Sequence, residues 1–234
     1  MPRARKRWNF TEQIAANLPT VRLSFVADNL DLSAASIPNR PIDVKLIQMI
    51  VGNDSPIGDG ELVKFANLED LVEIQITNQS PIDGNGLVYF TNCRNLKWLV
   101  LDGTGADATN LAIANPADIF PNLKTLTLRR CRDLKDAGDD WAKILPSGLS
   151  CIDVGQTDVG MPDLIRICTH CTTLTRLYID SLVSPITDDA VAAIAALTEL
   201  RILDCTGGTM NATQEKQFLG STKSESCKLR ADHH

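Results

Sequence analysis

The sequence predicts an α/β solenoid, a horseshoe of about eight coils of roughly 25–27 residues each, with parallel strands on a concave face and helices on a convex face. Two observations predict it. The first is a repeated phrase. Ser55-Pro-Ile-Gly-Asp-Gly-Glu-Leu-Val-Lys-Phe returns one period later as Ser80-Pro-Ile-Asp-Gly-Asn-Gly-Leu-Val-Tyr-Phe, and a third copy opens at Ser184. The second is a Leu-x-x-Leu-x-Leu pattern at a matching distance after each phrase. Its members are Leu71, Ile74, Ile76; Leu96, Leu99, Leu101; Leu123, Leu126, Leu128; Leu149, Ile152, Val154; Leu174, Leu177, Ile179; and Leu200, Leu203, Cys205. Weaker copies precede them at Leu46, Met49, Val51 and at Val21, Ser24, Val26. The copies begin at positions 21, 46, 71, 96, 123, 149, 174 and 200. Near-constant spacing of this kind is the mark of a repeat architecture.

Periodicity assigns each part of the coil. The x-Leu-x-Leu portion alternates as a strand with one buried face does. The intervening stretches read as helices: Asp59 to Asn67, Gly86 to Cys93, Trp141 to Leu145, Pro162 to Thr169 and Asp188 to Ala196. Asp188 and Asp189 stand where a helix N-terminus favours a cap or a negative charge. Clusters such as Asp102-Gly103-Thr104-Gly105 suit the turn after each strand. One such coil cannot bury its own apolar face, so neighbours must stack. This gives a basic arm and cap over residues 1–17, the solenoid over 18–208, and a C-terminal cap and flexible tail over 209–234. Within that last part Asn211 to Leu219 reads as a capping helix.

Composition narrows the function classes. Hydrophobic residues make up 44% but aromatics only 5%, so the core is aliphatic. Net charge is −6 and uneven: Arg3, Arg5, Lys6 and Arg7 precede the first acid, Glu12, leaving the other 19 of 23 basic residues against all 29 acidic ones. An acidic body argues against nucleic-acid binding, which needs a basic face. The arm suits a solubilising tail, part of a targeting segment, or an anchor on an acidic surface. The seven cysteines are odd in number and no apolar secretory segment opens the chain, which favours reduced thiols in a reducing compartment. The expected location is cytoplasmic, with mitochondrial as the alternative. No stretch approaches the roughly 18 apolar residues of a spanning helix, so no membrane insertion is expected.

Chemistry-bearing motifs are sparse. Cys168-Thr-His-Cys171 has the spacing of half a zinc site, but Cys168 falls on a helix, Cys171 in a repeat slot, and no second Cys-x-x-Cys completes a shell. Of three histidines, two are the terminal His233 and His234, which leaves His170 alone for nucleophilic catalysis, without a Gly-x-Ser-x-Gly elbow. The glycine pairs at Gly58/Gly60, Gly84/Gly86 and Gly103/Gly105 recur with the repeat and precede no Lys-Ser/Thr, so they are turn glycines rather than a phosphate loop. Asp59 and Asp83 read as caps in those turns. No catalytic residue, metal or cofactor is expected.

Cys93-Arg-Asn-Leu96 and Cys171-Thr-Thr-Leu174 place a cysteine shortly before the first leucine of the strand, at the same offset in both coils. Cys131 lies just beyond Leu128, and Ile186-Thr187-Asp188 forms a turn into the convex helix. On these residues the chain, from about 20 to 208, resembles the cysteine-containing leucine-rich repeats of F-box leucine-rich-repeat and ribonuclease-inhibitor-like proteins. The resemblance implies a horseshoe fold and says little of function. No F-box is recognisable. Leu18-Pro19 resembles the start of one, but the residues after it read as the first strand, so the ubiquitin-ligase role is not carried over. The ninth slot is irregular (Asn29, Asp54, Gln79, Thr104, Cys131, Thr157, Leu182, Gly208), so several coils need other partners for buried backbone groups.

The residues between the buried positions form the expected binding surface. The third slot holds Gln48, Glu73, Trp98, Thr125, Cys151, Arg176 and Ile202. The fifth holds Ile50, Gln75, Val100, Thr127, Asp153, Tyr178 and Asp204, and the seventh Gly52, Thr77, Asp102, Arg129, Gly155, Asp180 and Thr206. Trp, Tyr and Arg are enriched in interface hot spots. The candidate protein-binding residues are therefore Trp98, Asp102, Arg129, Arg130, Asp153, Arg176, Tyr178, Asp180 and Asp204. The expected function is a non-catalytic interaction module, an adaptor or recognition subunit. The alternative is a subunit built permanently into a larger, mitochondrial assembly.

Overall fold

The computed structural model describes residues 8–15, 18–27, 44–51, 57–77, 81–207, 211–221 and 228–230. Among the described residues, ten strands form one sheet in chain order. They are β1 (Trp8–Ala15), β2 (Leu18–Ala27), β3 (Val44–Val51), β4 (Glu73–Thr77), β5 (Trp98–Val100), β6 (Thr125–Thr127), β7 (Cys151–Asp153), β8 (Arg176–Tyr178), β9 (Ile202–Asp204) and β10 (Lys228–Arg230). β1 and β2 pair antiparallel, so a hairpin ends the array; every later pair is parallel. β1 lies within the stretch assigned to the arm and cap, and β10 within the stretch assigned to the tail.

The register of the later coils is that of the repeat. Glu73, Trp98, Thr125, Cys151, Arg176 and Ile202 are successive neighbours, as are Ile74, Leu99, Leu126, Ile152, Leu177 and Leu203. Towards the N-terminus it slips. Ile47, not Met49, lies opposite Ile74, a two-residue shift, which moves Gln48 to the fifth slot and Ile50 to the seventh. Leu23 and Phe25 align with Ile47 and Met49, one residue from the Ser24 and Val26 expected there. Lys45-Leu-Ile-Gln-Met-Ile-Val51 is apolar at both parities, so alternation alone does not fix its register.

Backbone bonds repeat with the coils. The carbonyl of the second-slot residue accepts two N–H groups from the next coil: Lys97 and Trp98 on Val72, Lys124 and Thr125 on Lys97, Ser150 and Cys151 on Lys124, Thr175 and Arg176 on Ser150, Arg201 and Ile202 on Thr175, all at 2.8–3.1 Å. After each of β5–β9 the eighth slot turns left-handed, at Gly103, Arg130, Gln156, Ser181 and Gly207. The eighth-slot N–H then donates to the seventh-slot carbonyl of the next coil, as Arg130 does to Gly155 and Gln156 to Asp180.

The helical side mixes 3₁₀ turns (Asp59–Phe65, Asn85–Phe90, Gly138–Asp140) with α1 (Ala108–Ala114), α2 (Pro116–Ile119), α3 (Trp141–Ile144), α4 (Met161–His170), α5 (Asp188–Ala195) and α6 (Ala212–Ser221). The first two stretches read as helices are thus 3₁₀. Their coils approach closely: a Cβ on Gly86 would fall within 3.0 Å of the Asp59 backbone, so only glycine fits. Asp59 caps its neighbour rather than its own turn, accepting from the Asp83, Gly84 and Gly86 amides. The α5 cap is Thr187, which accepts from Ala190, with Asp188 and Asp189 in the first turn.

Between the layers runs one core. Leu96, Leu99, Leu101, Leu123, Leu126 and Leu128 are fully buried, with Phe65, Phe90 and Phe120 among the bulkiest members. Where the ninth slot lacks asparagine, other groups serve. Thr104 Oγ1 donates to Leu101 O (2.8 Å), Thr157 Oγ1 to Val154 O (2.6 Å), and Cys131 Sγ to Leu101 O of the preceding coil (3.0 Å).

Leu126 sits in the middle of this stack. Leu126→Ala is expected to destabilise by about 2–5 kcal/mol through the cavity it leaves. Leu126→Asp should abolish the cooperative transition, because it buries an unpaired charge. Circular-dichroism thermal melts check this; a near-normal transition for Leu126→Asp would contradict the register.

Candidate functional site

On the strand face the candidate residues fall into two groups. The first is tied up internally. Arg129 in the β6 coil reaches past the β7 coil and grips Asp180 in the β8 coil with two bonds, Nη1–Oδ1 at 2.5 Å and Nη2–Oδ2 at 2.6 Å. Gly155, the seventh-slot residue of the coil between, makes this possible. A Cβ there would fall inside contact distance of both Arg129 Nη1 and Asp180 Oδ1, and 3.1 Å from Asp153 Oδ1. Asp153 completes the cluster, accepting from Gly155 N–H (2.8 Å) and standing 3.5 Å from Arg129 Nη1.

The charges respond to this geometry. The hydrogen bonds from Arg129 hold the Asp180 carboxyl below its ordinary value. Burial raises Asp153 above its ordinary value, against the Gly155 N–H and the nearby guanidinium. Arg129 is driven further towards its charged form, chiefly by its bonds to Asp180. Arg129, Asp153 and Asp180 are thus a structural bridge across three coils. Asp102 accepts from Thr127 Oγ1 (2.5 Å), and Asp204 from the Thr206 amide and hydroxyl (3.3 and 3.0 Å).

The second group faces outward. Trp98 is 39% exposed, large for an indole among buried leucines. Arg130 and Arg176 are exposed, and Tyr178 is half-buried. No ion pair is made by Arg130 or Arg176 among the described residues. Trp98 and Arg176 share the third-slot row, separated by Thr125 and Cys151. Those two small residues are buried, at 9% and 4% exposure. Three inter-strand steps of about 4.8 Å place the Trp98 and Arg176 backbones roughly 14 Å apart. The strand face therefore has a low floor between an aromatic and a cationic wall. Slot position could not reveal the burial of Thr125, Cys151 and Asp180, which depends on the size of their neighbours.

The helix side offers less. Open space of about 350 Å³ is lined by Trp141, Arg166 and His170 among others. His170 Nε2 lies 2.7 Å from Leu145 O and so stitches coils together. Cys93 and Cys171 are pushed up to about 12 by burial, and Cys168 further still. Their thiols are protonated at neutral pH and poorly reactive. Among the described residues no group of three or more His, Cys, Asp or Glu is placed to hold a metal, and no helix is long and apolar enough to cross a membrane.

No protein-family model and no curated protein sequence matches the chain. Among solved structures, internalin F of Listeria monocytogenes superposes with a TM-score of 0.53 at 19% identity, over 82% of this chain and 50% of that one. The fold is a leucine-rich-repeat solenoid. Internalin C2 of the same organism gives 0.48 at 16% identity over 80% of this chain and 81% of its own, and a leucine-rich-repeat protein of Leptospira interrogans gives 0.46 at 11% identity over 80% and 48%. The solenoid described here spans half the length of internalin F.

The bridge across Gly155 makes a joint prediction. Arg129→Met and Gly155→Ala should each destabilise by about 1.5–3 kcal/mol, the range for hydrogen bonds to charged groups, less whatever solvent screening removes from the partly exposed arginine. The double variant should lose little more than either single one. Because the folded-state value of Asp180 is lowered, its contribution is full above its ordinary 3.8 and fades as pH falls through the lower folded value. The melting-temperature gap between wild type and Arg129→Met should accordingly be widest near neutral pH and narrow in acid. Additive losses, or a gap independent of pH, would show that the pair does not carry the stability.

Proposed function

We propose that this leucine-rich-repeat protein is a non-catalytic interaction module that holds a protein partner on its strand face, as an adaptor or recognition subunit. The observation that carries the reading is the exposed Trp98 on the strand ladder, above a small-residue floor and opposite Arg176. Exposed aromatic and arginine side chains beside a close-packed floor are the usual anchors of protein interfaces. With Arg129, Asp153 and Asp180 committed to the internal bridge, contact falls mainly to Trp98, Arg176, Tyr178 and Arg130.

The repeats are read as the cysteine-containing class. Cys93 Sγ donates to Leu68 O (3.2 Å) and Cys171 Sγ to Pro146 O (3.9 Å), each in the preceding coil, so this slot serves coil stacking. Six described cysteines are buried and free, which supports a reducing compartment and the cytoplasm as the location.

A permanent subunit of a larger assembly is the second reading, and one observation favours it. Val63, Val88 and Ile113 recur one repeat apart on successive helical segments and are 49%, 38% and 63% exposed. Such an apolar row on the opposite side would suit a second, lasting contact.

Photo-crosslinking separates the two. A benzophenone amino acid placed at Trp98 or Tyr178 is expected to capture a partner in the protein's own cells, and one placed at Ile113 is not. Crosslinks from Ile113 alone would move the contact to the helical side and overturn the strand-face reading.

A further inference from the structure

Over the coils of β5–β8 the two ends of the strand ladder carry opposite net charge, whereas the preceding β4 coil opens with Glu69, Asp70 and Glu73. In the four coils of β5–β8, residues 94–98, 121–125, 147–151 and 172–176 lead into or open the strands. They contain Arg94, Lys97, Lys124 and Arg176 and no Asp or Glu, in a chain whose net charge is −6. All four are exposed. Arg94 and Lys124 donate to carbonyls, of Asp118 (2.9 Å) and Gly148 (3.0 Å), and none of the four joins an ion pair among the described residues. At the strand ends and in the turns that follow stand Asp102, Asp107, Asp133, Asp136, Asp153, Asp158 and Asp180 against Arg129, Arg130, Arg132 and Lys135, a net negative balance in which Arg129 is committed to the bridge with Asp180.

Trp98 lies where the two features meet. It follows Lys97 directly, and Lys124 precedes its ladder neighbour Thr125. The Thr125–Cys151 floor ends at Arg176. An apolar side chain lowered onto that floor would lie against the indole, with cations on the strand-start side and at the far end of the row, while Glu73, the other ladder neighbour of Trp98, accepts from Gln75 at the near end.

We propose that the strand face takes an acidic polypeptide segment, with carboxylates over Lys97, Lys124 and Arg176 and an apolar side chain seated against Trp98 on the Thr125–Cys151 floor. This rests on the strand face being the contact surface. A peptide fits better than a nucleic acid because the cations are few and local. A long polyanion would also meet the acidic strand-end edge and the negative field of the whole body.

Three labelled peptides of equal length test it, alternating Phe with Glu, with Gln or with Lys, alongside a single-stranded oligonucleotide. Binding is read by fluorescence anisotropy at low and high salt. The Glu peptide should bind about tenfold or more tighter than the Gln peptide at low salt, and lose that advantage at high salt. Lys97→Glu with Lys124→Glu, two exposed changes whose folding is checked by circular dichroism, should reverse the order and favour the Lys peptide. Trp98→Ala should weaken the Glu and Gln peptides alike. Equal binding of Glu and Gln peptides, preference for the Lys peptide by the unaltered protein, or tighter binding of the oligonucleotide would each overturn the proposal. Crosslinks from Trp98 together with any of those results would leave the strand face as the contact site and remove only its acidic occupant. Absence of strand-face crosslinks would remove both.

Discussion

A single coil has no second face on which to bury its leucines, so each coil of this protein depends on the next. The same dependence holds for the backbone. A single second-slot carbonyl holds two amides of the following coil, and the left-handed eighth residue sends its own amide onward. Together these bonds fix both spacing and register from β4 to β9. What a side chain can do on the strand face then depends on its slot and on the size of its neighbours one coil away.

That constraint explains why the strand face is not a uniform row of candidate contacts. Gly155 leaves a gap one side chain wide, and Arg129 and Asp180 close over it. The charges that look most like interface anchors are thereby consumed in holding three coils together. What remains open is the aromatic and basic part around Trp98 and Arg176, over residues too small to reach solvent.

Much of this architecture is legible in the sequence, for a physical reason. Strand residues alternate, coils repeat at near-constant spacing, and the register of Leu99, Leu126, Ile152, Leu177 and Leu203 is set by both. Legibility fails where alternation fails. The run from Leu46 to Val51 is apolar at both parities, and its register is two residues from the expected one. The 3₁₀ form of Asp59–Phe65 and Asn85–Phe90 is also hidden, since it depends on the close approach at Gly86. The Arg129–Asp180 bridge joins distant parts of the chain, yet a signal for it exists. Arginine, glycine and aspartate occupy the same slot in three consecutive coils, and only the middle one lacks a side chain.

The coil-to-coil ladder is the central claim, and native-state hydrogen exchange of the second- and third-slot amides tests it most directly. The amides of Lys97, Trp98, Lys124, Thr125, Ser150, Cys151, Thr175 and Arg176 each donate to the preceding coil. They should exchange slowly and with similar protection, because opening one separates two stacked coils. Rapid exchange at Ser150 and Cys151, or protection confined to one isolated coil, would contradict a continuous stack and the strand-face platform that rests on it.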